Sequence, residues 1–197
     1  MKELIVATKN QGKINEFRQM FSKYNISVKS LLDIDRTIDI EETGTTFEEN
    51  AVIKAEAMVN LLDLPVVADD SGLEVDALNG EPGVYSARYA GMDKDDEKNT
   101  AKLLRELDGK TDDERTARFV CTVAVARPGE ETFVKRGTCE GSITTEPQGA
   151  NGFGYDPVFI PKGSTRTMAE HSSEEKNAIS HRHHAIEQIE EWLKTQS

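Results

Sequence analysis

Tryptophan occurs once in this 197-residue chain, cysteine twice and proline six times, and aromatic residues make up only 6%. Each scarcity removes a class of protein. Two cysteines, Cys121 and Cys139, cannot build a disulfide scaffold, and their spacing matches no zinc pattern. Both fall in strand-like text, so they read as small core residues in a reducing cytosol. No apolar run approaches the about 20 residues of a membrane span, and neither a signal-peptide pattern nor a repeat, low-complexity tract or linker is expected. Positive charge is short as well. The net charge is −12 and the pI about 4.8. An acidic surface repels polyphosphate backbones and anionic lipid, which argues against nucleic acid and membrane as partners. A nucleotide remains possible if cationic groups and a metal are gathered locally.

What is present suits a single domain over residues 1–197, drawn out into two lobes: 37% hydrophobic and 30% charged residues in 21.9 kDa. Residues 2–7 predict a first strand, followed by a polar loop and a helix carrying Ile14, Phe17, Phe21 and Tyr24. A second helix opens at Thr46 with Glu49 three residues on, a capping-box signature, and buries Phe47, Ala51, Ala55, Met58 and Leu62. A third helix is expected over 93–107. Residues 116–126 alternate, with Ala117, Phe119, Cys121, Val123 and Val125 on one face, and Pro128-Gly129 turns the chain into a strand near 131–140 as a hairpin. A last helix spans 173–195 with Ile179, Ile186, Ile189 and Leu193 buried. Helices and strands mix without strict βαβ alternation, so the fold class is α/β with a mixed sheet.

The most informative segment is Pro-Val-Val-Ala-Asp-Asp-Ser at 65–71. An apolar run breaks off at two carboxylates, and Gly72 marks a turn. Asp69 and Asp70 would then stand where a strand leaves the core, the usual ligand crevice of α/β sheets. Successive strand residues point to opposite faces, so one carboxylate can face a ligand while the other anchors the turn. The plain alternative is an ordinary Asp-Ser-Gly turn.

Other segments could carry chemistry. Thr8, Lys9, Asn10, Gln11, Gly12 and Lys13 form a strand–loop–helix phosphate cradle, though not a Walker A loop. A carboxylate in Asp39-Ile40-Glu41-Glu42-Thr43-Gly44 could share a hard cation with Asp70. Asn50 and Lys54 lie one turn apart, flanking the apolar stripe, where they could border a cleft. Residues 148–157 pack glycines around Phe153, Tyr155 and Asp156, allowing close backbone approach and a flat face for a base. Lys176, His181 and Arg182 cannot share one face of an unbroken helix. Either the helix is interrupted near Ser180, or the cations surround a ligand from different sides. His183 and His184 read as solvated.

Together these segments resemble the inosine triphosphate pyrophosphatases, a family acting on non-standard purine nucleotides. The resemblance runs nearly the whole length, through Ala7-Thr8-Lys9-Asn10, Glu42-Thr43-Gly44-Thr45-Thr46-Phe47, Ala68-Asp69-Asp70-Ser71-Gly72-Leu73, Pro82-Gly83-Val84-Tyr85-Ser86-Ala87-Arg88, Gly152-Phe153-Gly154-Tyr155-Asp156-Pro157 and Glu175-Lys176-Asn177-Ala178-Ile179-Ser180-His181-Arg182. It implies hydrolysis of ITP, dITP and XTP to the monophosphate and pyrophosphate, cleansing the nucleotide pool. It also implies magnesium, a cytoplasmic homodimer, and a long twisted mixed sheet with two lobes around a central cleft. By position, it gives Asp70 to the proton acceptor and, with Glu41 (or the adjacent Glu42), to the metal. It gives Thr8 to Lys13, Ser71, Phe153, Gly154, Tyr155, Asp156, Lys176, His181 and Arg182 to substrate contacts. Lys13, Lys54 and Lys176 can supply charge for the polyphosphate. Donors such as Arg182 or backbone N–H groups facing the 6-oxo edge would discriminate against adenine. A related pyrophosphatase of modified pyrimidine nucleotides and a non-catalytic nucleotide-binding regulator are the rival readings.

Overall fold

A computed structural model describes residues 3–34 and 37–194, with 191–194 described by backbone only. Lys2 and Thr195 of the expected first strand and last helix, and the side chain of Leu193, lie outside the described residues. Among the described residues six strands form one sheet: β1 (Glu3–Val6), β2 (Ser27–Ser30), β3 (Val66–Val75), β4 (Thr116–Ala126), β5 (Phe133–Ile143) and β6 (Phe159–Pro161). Their order is β2-β1-β3-β4-β5-β6. β1 runs parallel to β2 and β3, and β5 runs antiparallel to β6. The sheet is therefore mixed, as expected. β4 and β5 are sheet neighbours joined by a short turn, the expected hairpin.

Six α-helices accompany the sheet among the described residues: α1 (Gln11–Ser22), α2 (Leu31–Ile34), α3 (Phe47–Leu62), α4 (Asp96–Glu106), α5 (Ser173–Ile179) and α6 (His181–Lys194). α3 begins at its capping box, with Thr46 and Glu49 bonding each other's backbone N–H groups. The long final helix is interrupted: Ser180 takes extended backbone (φ −73°, ψ 152°) between α5 and α6. No described helix is long and apolar enough to cross a membrane.

The chain divides into two compact units. The first comprises Met1–Asp70, Cys121–Gly137 and Arg182–Ser197, the second Ser71–Val120 and Thr138–His181. In the first unit the sheet is covered on both faces. Leu4, Val6, Val67, Cys121, Val123 and Val125 pack with Phe17, Met20 and Phe21 of α1 and Ala185, Ile186 and Ile189 of α6. Ile5, Ala7, Val66, Ala68, Ala124 and Ala126 pack with Ala51, Ala55, Met58 and Val59 of α3. Each Val, Leu, Ile, Phe or Met side chain among them contributes roughly 1.5–3 kcal/mol on burial. This explains why β4 alternates in sequence yet is buried at every position from Phe119 on. Both cysteines are buried and unpaired with each other. The second unit has its own core, from Leu73 and Val75 through Leu103, Leu107 and Phe119 to Phe159 and Met168, with Ile179 only half-buried at its edge.

Candidate active site

β3 does not break at its carboxylates. It continues through Asp69, Asp70, Ser71 and Gly72 to Val75, which corrects the expected turn. Gly72 is needed for close approach instead. A Cβ there would lie 2.6 Å from the Gly83 carbonyl oxygen and would collide with Ser86 Oγ. The alternation argument holds nonetheless, because the pleat sends the two carboxylates to opposite faces.

Asp69 points to the α1/α6 face and is buried. Lys13 Nζ stands 2.9 Å from its Oδ2 and Arg182 Nη2 3.2 Å. The Cys121 thiol donates to the same oxygen at 3.8 Å. Burial raises the Asp69 pKa, but Lys13, Arg182 and Lys54 outweigh it and hold the carboxyl well below the usual range. Burial pushes the Cys121 thiol up to about 12, so it stays protonated. Arg182 is only 1% exposed, paired with Glu16 and Asp69 and lying over the Phe17 ring at 5.7 Å. A substrate contact is expected of Arg182; the structure places both ends of its guanidinium on buried carboxylates. Asp69 anchors this ion network, not a turn.

Asp70 points to the α3 face. Asn50 Nδ2 donates to Asp70 Oδ2 at 3.0 Å while Asn50 Oδ1 accepts from Gly44 N–H at 2.8 Å, tying the acidic loop to β3. Lys54 Nζ sits 2.6 Å from Glu42 Oε1 and 3.9 Å from Asp70 Oδ1. Asn50 and Lys54 are both buried, turned inward to the carboxylates. Burial pushes the Asp70 carboxyl up to about 6, against the pull of Lys54 and Lys13 and with Glu42 adding to the rise. Burial draws Lys54 down, yet Asp70, Asp69 and Glu42 leave its ammonium net raised. Of the adjacent glutamates, Glu42 faces this pair while Glu41 is exposed. Of the two glutamates that the sequence leaves open as the second metal ligand, Glu42 is the one that lies beside Lys54 and Asp70.

The segment Thr8 to Lys13 is partly helical, not a loop throughout, because α1 starts at Gln11. Asn10 caps it, accepting from Lys13 N–H at 3.1 Å, while Thr8 Oγ1 accepts from Asn10 N–H at 3.1 Å. Gly12 is half-buried, Gln11 bonds Asn15, and Lys9 pairs with exposed Asp39 at 3.6 Å. Lys13 is thus both in the cradle and on Asp69.

The second unit holds the remaining residues. Asp156 accepts from Phe153 N–H at 2.9 Å and pairs with Lys176 Nζ at 2.6 Å, and both charged side chains are buried. Lys176 Nζ lies 4.4 Å above the Phe153 ring. Tyr155 is buried and donates to the Ser86 carbonyl at 2.7 Å. His181 stacks on Phe119 with ring centroids 5.0 Å apart. Phe153, Gly154 and Ser71 are half-buried. His183 and His184 are half-buried too, His183 facing Glu187 at 3.1 Å, so neither is the fully solvated residue expected. Sequence reasoning missed Glu16, whose acidity on the buried face of α1 was the available signal, and the role of Ser86.

Among the described residues no three His, Cys, Asp or Glu side chains form a ready-made metal cage. The Asp70–Glu42 pair does fit a hard cation that uses one or two carboxylates and completes its shell elsewhere. The raised Asp70 carboxyl is the sign: its charged form is under-compensated where it stands.

Comparison with known proteins places these features in context. Residues 4–192 match the profile of the Ham1 family. The dITP/XTP pyrophosphatase of Halalkalibacterium halodurans is 59% identical over 193 residues, 98% of this chain and 100% of that protein. That of Bacillus subtilis is 54% identical over 98% of each chain. The Staphylococcus aureus Ham1 protein superposes with a TM-score of 0.88 at 48% identity over the whole of both chains, and a HAM1 protein from Coxiella burnetii with 0.88 at 41% over 99% of this chain and 100% of that one. The chain belongs to the Ham1 family.

Proposed function

We propose that the protein hydrolyses dITP, ITP and XTP to the nucleoside monophosphate and pyrophosphate, removing deaminated purines from the nucleotide pool. The observation that carries this reading is Asp70: a buried carboxyl framed by Asn50, Lys54 and Glu42, its pKa pushed up to about 6 by burial. A general base works best when its pKa lies near the operating pH. Asp70 Oδ takes the proton of the water that attacks the α-phosphorus. Lys13 and Lys54 neutralise the polyphosphate, and the N–H groups at the start of α1, beside Thr8 to Gly12, face an anion. Asp70 and Glu42 would hold magnesium, which supplies charge neutralisation and a template for the phosphate oxygens.

Base recognition falls to the second unit's residues and to the start of α6. Phe153 offers a ring face, with Ser71, Gly154, Tyr155, Asp156 and Lys176 around the same task, and His181 offers its imidazole. Because the Arg182 side chain is taken up by Glu16 and Asp69, its contribution to base reading is assigned to its backbone N–H. We place the enzyme in the cytoplasm as a homodimer with one catalytic domain. Two buried free cysteines support the reducing compartment, and strands β3, β4 and β5, each with residues in both units, support the single domain. The test is product analysis at an early time point with ITP and magnesium. IMP plus pyrophosphate is expected; IDP plus orthophosphate overturns the reading.

A further inference from the structure

Three successive residues of the glycine-rich loop are each tied at a different point, and two of the ties come from outside the loop. Phe153 N–H donates to Asp156 Oδ2 at 2.9 Å, Gly154 N–H to Asp96 Oδ2 at 2.7 Å, and the Tyr155 hydroxyl to the Ser86 carbonyl at 2.7 Å. Ser86 is itself locked. Its hydroxyl donates to the Gly83 carbonyl at 2.6 Å and accepts from the buried N–H of Leu73 at 2.9 Å, three residues past Asp70 on β3. Gly72 leaves the space for that contact. Asn99 of α4 then joins the Ser86 turn to the helix carrying Asp96. It donates to the Ala87 carbonyl at 3.0 Å and accepts from Ala90 N–H at 2.7 Å, and it is 2% exposed. β3, the 3-10 turn Gly83–Arg88 and α4 thus form one hydrogen-bonded frame, and the loop hangs from it at Gly154 and Tyr155.

We propose that Ser86 and Asp96 are positioning residues for nucleobase binding, which fix the loop at 152–156 so that Phe153 and Lys176 present a preformed ring-and-ammonium face. Neither residue touches the substrate. The frame also explains why an acidic residue is placed at Asp96: the Gly154 amide, with no side chain to shield it, is oriented by a charged acceptor, which bonds about twice as strongly as a neutral one. This proposal rests on the assignment of base recognition to the loop.

The test compares Asp96→Ala, Asp96→Asn, Tyr155→Phe and Ser86→Ala. Asp96 is exposed, so its variants keep the fold even if Ser86→Ala does not, given the buried Leu73 N–H that the latter orphans. KM for ITP and the inhibition constant of pyrophosphate, which has no base, are measured for each. Asp96→Ala should raise KM for ITP about fivefold, equivalent to about 1 kcal/mol, with pyrophosphate inhibition and kcat unchanged within about twofold, and Tyr155→Phe should raise KM for ITP in the same direction. Asp96→Asn, which keeps an oxygen acceptor, should recover most of the loss. Equal changes for ITP and pyrophosphate, or no change in KM, overturn the proposal. Amide hydrogen exchange of residues 152–156 in nucleotide-free protein separates this from failure of the functional reading. Faster exchange in Asp96→Ala and Tyr155→Phe supports the frame whether or not ITP is the substrate, and wild-type exchange overturns it.

Discussion

Asp70→Asn should inactivate the enzyme and at the same time make it more stable. In the folded protein burial pushes the Asp70 carboxyl up to about 6 from an ordinary 3.8. Each tenfold change in proton affinity is worth about 1.4 kcal/mol, so holding this group ionised at neutral pH costs the fold about 3 kcal/mol. The sign follows from proton counts: between pH 3.8 and 6 the folded state binds more protons than the unfolded one. Stability therefore falls as pH rises through that window, and the full cost applies above it. Asparagine removes the charge and keeps an oxygen to accept from Asn50, whose amide lies 3.0 Å from Asp70 Oδ2. Its new amide group faces Lys54, 3.9 Å from Asp70 Oδ1, which returns part of the gain. A net gain of about 1–2 kcal/mol raises Tm by about 2–8 °C for a chain of this size. Thermal unfolding in EDTA at pH 7.5 reads this directly, and the gap between variant and wild type should close as pH falls from 6 to 4. Added magnesium should then stabilise wild type but not Asp70→Asn, because only the former offers the carboxylate. A Tm for Asp70→Asn at or below wild type at pH 7.5, or a gap that acid leaves unchanged, refutes the reasoning.

Asp69→Asn should behave in the opposite way. It strips the shared partner from half-buried Lys13 and buried Arg182, and breaking a buried pair costs about 3–5 kcal/mol, so Cm in urea should drop accordingly. Because the Asp69 carboxyl is held below the usual range, that contribution is present above pH 4 and is lost only in stronger acid. Gly72→Ala should cost about 1–3 kcal/mol by overpacking, since its Cβ would meet Gly83 O at 2.6 Å, and calorimetry checks it. Lys13→Ala should lower kcat/KM for ITP and ATP by similar factors, since phosphates are common to both; steady-state kinetics on the two nucleotides decides it.

The elements written by local chemistry were legible. Thr46 and Glu49 announced α3 because a capping box closes within four residues, and the stripe of α3 faces the core as its spacing requires. The short elements were not: β2 and α2 have four residues each and β6 three, too few for a period to show. At the site, errors arose wherever a residue's role is set far away in sequence. Gly72 looked like turn punctuation, but it answers to Gly83 and Ser86. Arg182 looked like a free donor, but its partners lie 166 and 113 residues away, at Glu16 and Asp69. Nothing local distinguishes an arginine that meets a ligand from one that neutralises a buried aspartate.

The adjacent aspartates show how a dipeptide can carry two chemistries without any difference in side chain. A strand alternates its faces residue by residue, so Asp69 enters the layer of α1 and α6 while Asp70 enters the layer of α3. The first layer supplies two cations within 3.2 Å of one carboxylate oxygen; the second supplies an amide, a lysine already shared with Glu42, and burial. The pKa values are driven apart, Asp69 downward and Asp70 upward. Pairs of like groups pushed apart in this way are how one site keeps a permanent charge and a proton acceptor side by side. The permanent charge holds Lys13 in place, and Lys13 also stands in the cradle that opens α1. In the mechanism we propose, Asp69 serves turnover through the lysine it orients, and Asp70 through the proton it can take up at neutral pH.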